Sequence, residues 1–310
     1  METVLYWLAR GLIALVEALP LIWVARLGRL GGGLFYFLDA RHRRVAGRNL
    51  ALCFPEKSAA EVKALVRENF QRIGESFICA IKTSTMSAAA LERHLEFVRV
   101  ETLVPKEAGP EPHSRVVAIG HFGNFEIYAR AVMRLPQFQF ATTYRALRQP
   151  ALNRLMQSLR ERSGCLFFER RLDGDELRAT MKRKNLLLGL LADQHGGQRG
   201  LCLPFFGRDC STNPAPAVLA LRYKLPLYMG FCFRLAPARW RLEVGAEIPT
   251  HVDGKPRPVE DIMLDVNRAL EAAVRRDPAN WFWVHNRWKT LGRKPRPEHP
   301  PEPNDVGGEP

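Results

Sequence analysis

Apolar residues run almost unbroken from Gly11 to Ala25, between Arg10 and Arg26, while beyond Arg41 they fall into shorter stretches of alternating period. At 1.5 Å per residue the first run spans roughly 22 Å, short of a ~30 Å hydrocarbon core, and Glu17 and Pro20 interrupt it. The pattern predicts two consecutive membrane-associated helices that break near Pro20, the second reaching Phe37. Core helices of a soluble domain satisfy the same pattern. No small-x-small cleavage site follows promptly, so a cleaved signal peptide is not expected. Further on, Ser58-Ala-Ala-Glu61 is a capping-box signature. It opens a long amphipathic helix with Val62, Leu65, Val66, Phe70 and Ile73 turned inward.

From Arg115 the pattern alternates between strands and helices. Arg115–Ile119 reads as a buried strand that enters a Gly-rich turn. Ile127, Ala131, Val132 and Leu135 then keep near-helical spacing until Pro136, with Asn124 as a candidate N-cap. Strands follow at Phe138–Thr143, Cys165–Phe168, Leu186–Leu191 and Pro226–Phe233. Helices open at Pro150, Asp175 and Thr212. Alternation at this spacing argues for an α/β domain with a largely parallel central sheet flanked by helices. In such a sheet His121, Arg145 and Asp193 all stand at carboxyl ends of strands, where sites of this architecture assemble.

Charge narrows the partners. The 310 residues carry a net charge of +14, which implies an anionic partner: a membrane surface, a phosphorylated substrate, an acidic protein or nucleic acid. The cations are dispersed and no helix-turn-helix, zinc-finger or RNP-like pattern is present, which argues against nucleic acid. The cluster Arg41-His42-Arg43-Arg44 with Arg48, just after the apolar segment, suits an anionic leaflet or a solvated helix face. Six cysteines show no Cys-x-x-Cys spacing, so free thiols in a reducing compartment are expected and a metal site is not. Nothing in the pattern calls for a cofactor.

The chemistry centres on Gly120-His121-Phe122-Gly123-Asn124-Phe125-Glu126. On a regular helix residues five apart face different ways. His121 and Glu126 therefore meet only if His121 precedes the helix and the turn at Gly123 brings Glu126 back. A carboxylate on one imidazole nitrogen would fix the tautomer and leave the other as a base. No Ser or Cys stands in the motif and no Gly-x-Ser-x-Gly occurs in the chain. The proton would then come from a substrate hydroxyl. A hydrogen-bonded His in an ordinary strand–helix turn is the alternative.

Further blocks stand in order around this motif: Arg43-Arg44-Val45 with Arg48-Asn49-Leu50 and Cys53-Phe54-Pro55-Glu56; Tyr144-Arg145 with Pro150; Leu191-Ala192-Asp193-Gln194; Pro204-Phe205-Phe206-Gly207; and Trp281 to Lys289. With them the chain resembles the lipid A biosynthesis (lauroyl/myristoyl-type) acyltransferase family of the lysophospholipid acyltransferase-like superfamily. The resemblance covers residues 1 to about 291. It implies a glycerolipid-acyltransferase-like α/β fold with a membrane-associated segment 1–39, a catalytic domain 40–291 and a disordered Pro-rich tail 292–310. Removal of 1–39 is then expected to leave the α/β body folded.

The resemblance also assigns roles. His121 would be the catalytic base and Glu126 its orienting acid. Arg160, Asp193, Arg145, Asn124, Gln194 and Phe205 would bind substrate. Arg160 would hold a phosphate or the oxyanion, and Asp193 would orient Arg160 or Arg145. Phe205 and Phe206 would line a hydrocarbon channel or belong to the core, and Trp281 to Lys289 would lie at a membrane interface or pack the last helix. Acyl carrier protein is the implied donor and a phosphorylated lipid A precursor the acceptor, on the cytoplasmic face of a bacterial inner membrane. No cofactor is implied. Glu126, where glycerolipid acyltransferases typically carry Asp, and Pro-Phe-Phe-Gly in place of Phe-Pro-Glu-Gly favour the lipid A branch. His195, where the family commonly has a second acid, is a departure. Other readings are acylation of another glycolipid or lysophospholipid, of the phosphatidylinositol-mannoside type, or a non-catalytic basic binding protein.

Overall fold

The computed structural model describes residues 2–104, 114–147, 149–183 and 185–289. Arg148 and the tail 292–310 lie outside them. Five helices come first: α1 (Glu2–Ala18), α2 (Leu21–Leu38), α3 (Ala40–Cys53), α4 (Ala59–Thr85) and α5 (Ala88–Glu92). The break at Pro20 falls where the sequence placed it. Ser58 and Glu61 close both halves of the capping box at the start of α4.

The α/β portion follows as β1 (Leu95–Val98), β2 (Arg115–Ile119), β3 (Gln139–Tyr144), α6 (Pro150–Glu161), β4 (Leu166–Glu169), α7 (Gly174–Thr180) and β5 (Leu186–Leu191). A hairpin of β6 (Leu201–Phe205) and β7 (Arg208–Thr212) then leads to α8 (Ala215–Tyr223), β8 (Leu227–Ala236), β9 (Arg239–Ile248) and α9 (Val259–Arg276). Seven strands form one sheet in the order β1-β9-β8-β2-β5-β3-β4. Only β8 and β9 pair antiparallel; every other neighbouring pair is parallel. The carboxyl ends of β2, β5, β3 and β4 therefore share one edge. The hairpin and the reversal at β9 are additions to the expected strands. Both rest on turns at positive φ, at Phe206-Gly207 and Ala238.

The segment Phe125–Arg134 is a 3-10 helix rather than the expected regular one. Asn124 does not cap it through its side chain. That side chain is buried and points to Thr83 Oγ1 at 3.4 Å.

The expected division between a detachable 1–39 and a body at 40–291 does not match the packing. Gly28 and Gly32 of α2 lie against Gly74 of α4 so closely that a Cβ on Gly32 would stand 2.1 Å from the Phe70 carbonyl. Val24 and Ala25 are fully buried in one cluster with Ile127, Cys232 and Trp240 of the α/β portion. Arg29 adds a two-pronged bond to Glu68. The other face of α2 carries Leu27, Leu30, Leu34, Phe37 and Leu38, all exposed. By length and composition α2 is apolar enough to cross a membrane. Its glycine face is nevertheless spent on the protein.

Candidate active site

All five residues of β2 are buried, so the strand delivers His121 from the core to the sheet edge. The chain reverses at Gly123, where φ is +49° and a Cβ would meet the Cys232 carbonyl at 2.8 Å. Only glycine suits both demands. β2 and β5 are in register at Ile119 and Leu191. His121 and Asp193 each follow that pair by two residues, which places them side by side.

His121 Nδ1 is 2.8 Å from Asp193 Oδ1, and the His121 backbone N–H donates to Asp193 Oδ2 at 2.7 Å. The Trp281 indole N–H donates to the same oxygen at 2.7 Å. Asp193 is buried, and burial alone would raise its pKa. The His121 ring and these three hydrogen bonds outweigh burial and hold the carboxyl below its ordinary value. With Nδ1–H donated to a carboxylate, Nε2 carries the lone pair. Gln194 Nε2 lies 3.4 Å from it. Phe125 packs edge-on against the ring at 4.7 Å and Phe282 covers it at 5.8 Å.

The expected partners are exchanged. Glu126 was to orient His121, but both its oxygens face Arg160, at 2.7 Å from Nη2 and 3.3 Å from Nε. Asp193 was to orient an arginine, but it holds the histidine. The reason lies in the backbone: the 3-10 turn carries Glu126 toward α6, while the strand register delivers Asp193 to the ring. Arg160 is fixed further by the rings of Tyr144 and Phe167, each 5.4 Å from its guanidinium carbon.

A cavity of about 820 Å³ opens at this edge, lined by His121, Glu126, Arg160, Arg145 and Gln194. Its deeper walls are apolar, among them Ile81, Leu103, Val117, Leu135 and Phe140. Asn124 and Phe205 do not line it, which corrects their expected substrate contacts. Phe205 is fully buried among Phe206, Trp281 and Trp288, beneath the Arg287 guanidinium. Nor is the Trp281–Lys289 segment an interface belt, since Trp281, Trp283 and Arg287 are fully buried.

Two side chains that sequence reasoning missed support this centre. Trp281 steadies Asp193, and its own carbonyl accepts from Asn69 of α4 at 2.6 Å. His285 Nε2 accepts the backbone N–H of His195 at 3.0 Å, fixing the strand exit beyond Asp193. Burial lowers the His285 pKa to about 4, so the ring is neutral. The alternation of Trp, His and Arg in that segment was the available signal, but amphipathic aromatics read equally well as a membrane belt.

The chain matches the family described as bacterial lipid A biosynthesis acyltransferase over residues 1–290. It belongs to that family. It is 27% identical to the lipid A biosynthesis palmitoleoyltransferase of Escherichia coli K12 over 293 residues, covering 92% of this chain and 91% of the relative. It is 25% identical to the lipid A biosynthesis lauroyltransferase of the same organism over 299 residues, covering 96% and 94%. A lipid A biosynthesis acyltransferase of Haemophilus influenzae is 25% identical over 297 residues, covering 92% and 90%. This protein is therefore an acyltransferase.

Proposed function

We propose that this acyltransferase moves a long acyl chain from a thioester, carried by acyl carrier protein, to a hydroxyl of a lipid A precursor. The observation that carries the mechanism is His121, anchored through Nδ1 to Asp193 with Nε2 on the cavity side. His121 Nε2 takes the proton of the acceptor hydroxyl as its oxygen attacks the thioester carbonyl. The tetrahedral intermediate collapses, the C–S bond breaks, and the thiolate recovers the proton from the imidazolium. Asp193 stabilises that imidazolium and fixes its orientation. Arg160, held by Glu126, supplies positive charge for the oxyanion. The apolar depth of the cavity accommodates the chain, and its volume lies within the usual range of ligand sites. The names of the relatives, palmitoleoyl- and lauroyltransferase, support a long-chain donor and a lipid A-type acceptor. The exposed apolar face of α2 and the basic Arg41–Arg48 stretch support work at the cytoplasmic face of a bacterial inner membrane.

The test is a reconstituted assay with purified protein, acyl carrier protein loaded with a C12 to C16 chain, and a lipid A precursor, read by mass spectrometry. Acylated lipid is expected from wild type, and none above background from His121→Ala. Transfer that requires a different donor class, or an acceptor amine instead of a hydroxyl, would overturn the reading.

A further inference from the structure

The neighbouring strand ends carry a second constellation that the catalytic centre does not use. β3 and β4 are in register at Tyr144 and Glu169, so Arg145 and Arg170 leave the sheet side by side. The Arg170 N–H donates to the Tyr144 carbonyl at 3.0 Å. Both arginines line the cavity mouth and both are exposed. Among the described residues neither makes an ion pair, whereas Arg160 of the adjacent α6 and Arg162 just past its end are paired to Glu126 and Glu17.

A carboxylate stands between them but is not available to them. Glu169 is buried and spends its oxygens on backbone amides: Arg171 at 2.7 Å, Leu172 at 3.0 Å and Ala146 at 3.5 Å. Burial opposes ionisation of Glu169, yet these amides and the Arg171 charge keep its pKa below the ordinary value. The carboxylate thus ties the two loops together and leaves two guanidinium groups facing one opening. Two loosely hydrated forks at one mouth suit a phosphate, which takes bidentate bonds from each. The loop tips are greasy as well: Leu147 is 49% exposed and Leu172 82%. The Leu147 N–H is fixed to Asn153 of α6 at 3.0 Å. Through Ile13, Leu155 and Leu159, α6 packs against α1, whose exposed side carries Trp7, Leu8, Leu12 and Leu15. Cations flanked by leucines match a phosphate attached to a lipid better than one on a soluble carrier.

We propose that Arg145 and Arg170 form the phosphate subsite of the lipid acceptor, organised by Glu169, with Leu147 and Leu172 seated among the surrounding acyl chains. This rests on the acyl-transfer reading above and adds a rule for the acceptor. In the sheet order β2-β5-β3-β4, strands about 4.8 Å apart put the ends of β3 and β4 roughly 10–14 Å from the end of β2. A large glycolipid, with its hydroxyl and phosphate well separated, matches that spacing.

The experiment compares a phosphorylated lipid A precursor with the same lipid treated with phosphatase, in neutral-detergent micelles, for wild type and for Arg145→Gln/Arg170→Gln. Wild type is expected to prefer the phosphorylated acceptor. The double variant is expected to lose about 10- to 100-fold of that preference in kcat/KM, through KM. Glu169→Gln should move the same ratio in the same direction. An unchanged preference overturns the subsite. A rise confined to the KM of the carrier-bound thioester also overturns it, and would assign the arginines to the donor's phosphate or acidic surface. Absence of transfer by wild type to either lipid would overturn the acyl-transfer reading itself, and this proposal with it.

Discussion

Two pairs of parallel strand ends stand on the same edge of one sheet. Beyond β2 and β5 come His121 and Asp193; beyond β3 and β4 come Arg145 and Arg170. Each pair is set side by side by register alone, yet the outcomes are opposite. At the centre, helices and the Trp281 segment cover the ends, so an unpaired charge would be costly and the acid is matched to a base. On the β3–β4 side, where β4 is the last strand, the loops are exposed, so two like charges are tolerated. Each pair also has its carboxylate. Asp193 spends its oxygens on the His121 ring and the Trp281 indole, and Glu169 spends its own on the backbone. Burial, rather than topology, separates a matched acid–base pair from a pair of exposed like charges.

The comparison breaks first at the centre. His121→Ala and Asp193→Asn should each lower kcat on the order of 10²–10⁴-fold, measured by thioester consumption on protein whose circular dichroism matches wild type. A folded His121→Ala enzyme turning over at the wild-type rate would remove the centre from the mechanism. Glu126→Gln sharpens the exchange of partners. It removes the charge from both contacts to Arg160, turns one acceptor into a donor, and should cost about 10- to 100-fold. If it matches Asp193→Asn in size and in pH profile, Glu126 serves the ring during turnover after all.

The smallest effect is one of stability and tests how dry the centre is. Burial pushes His285 down to about 4 in the folded protein, against ~6.5 when unfolded. Between those values the unfolded chain binds the extra proton. The contribution of His285 is thus complete above ~6.5 and declines as pH falls toward 4. His285→Gln can still accept the His195 N–H, and it should flatten the loss of denaturation midpoint between pH 7 and pH 5. An unchanged slope would mean that water reaches the ring.

Much of this was readable beforehand, and the limits have physical causes. The strand at Arg115–Ile119, the break at Pro20 and the Ser58–Glu61 box are local signals, and local signals survive folding. So did the expectation that His121, Arg145 and Asp193 sit at strand ends. Which carboxylate meets which cation was not local. It depends on β2 and β5 being neighbours and on a ten-residue 3-10 helix where periodicity suggested a regular one. Glu169 left no trace in the sequence because its partners are backbone amides, which every residue has. Trp281 misled because an indole that steadies a buried acid and one that floats at a lipid headgroup look the same in one dimension.

The glycine seam between α2 and α4 sets a rule for anyone re-engineering the protein. A greasy N-terminus invites trimming, but α2 is a wall of the catalytic body. Shaving it away would bare Phe70 and Gly74, and α4 also supports Trp281 through Asn69. A detergent-free variant is better obtained by repainting than by cutting: Leu27, Leu30, Leu34 and Leu38 changed to polar residues, with the small-residue stripe left alone. Two substitutions at adjacent positions calibrate the tolerance. Gly31 has nothing within 4 Å of a new methyl group, so Gly31→Ala should raise the melting temperature slightly through helix propensity. Gly32→Ala has no room and should cost about 1–3 kcal/mol. Equal melting temperatures for the two would show that the helix is removable trim, and the shears could come out again.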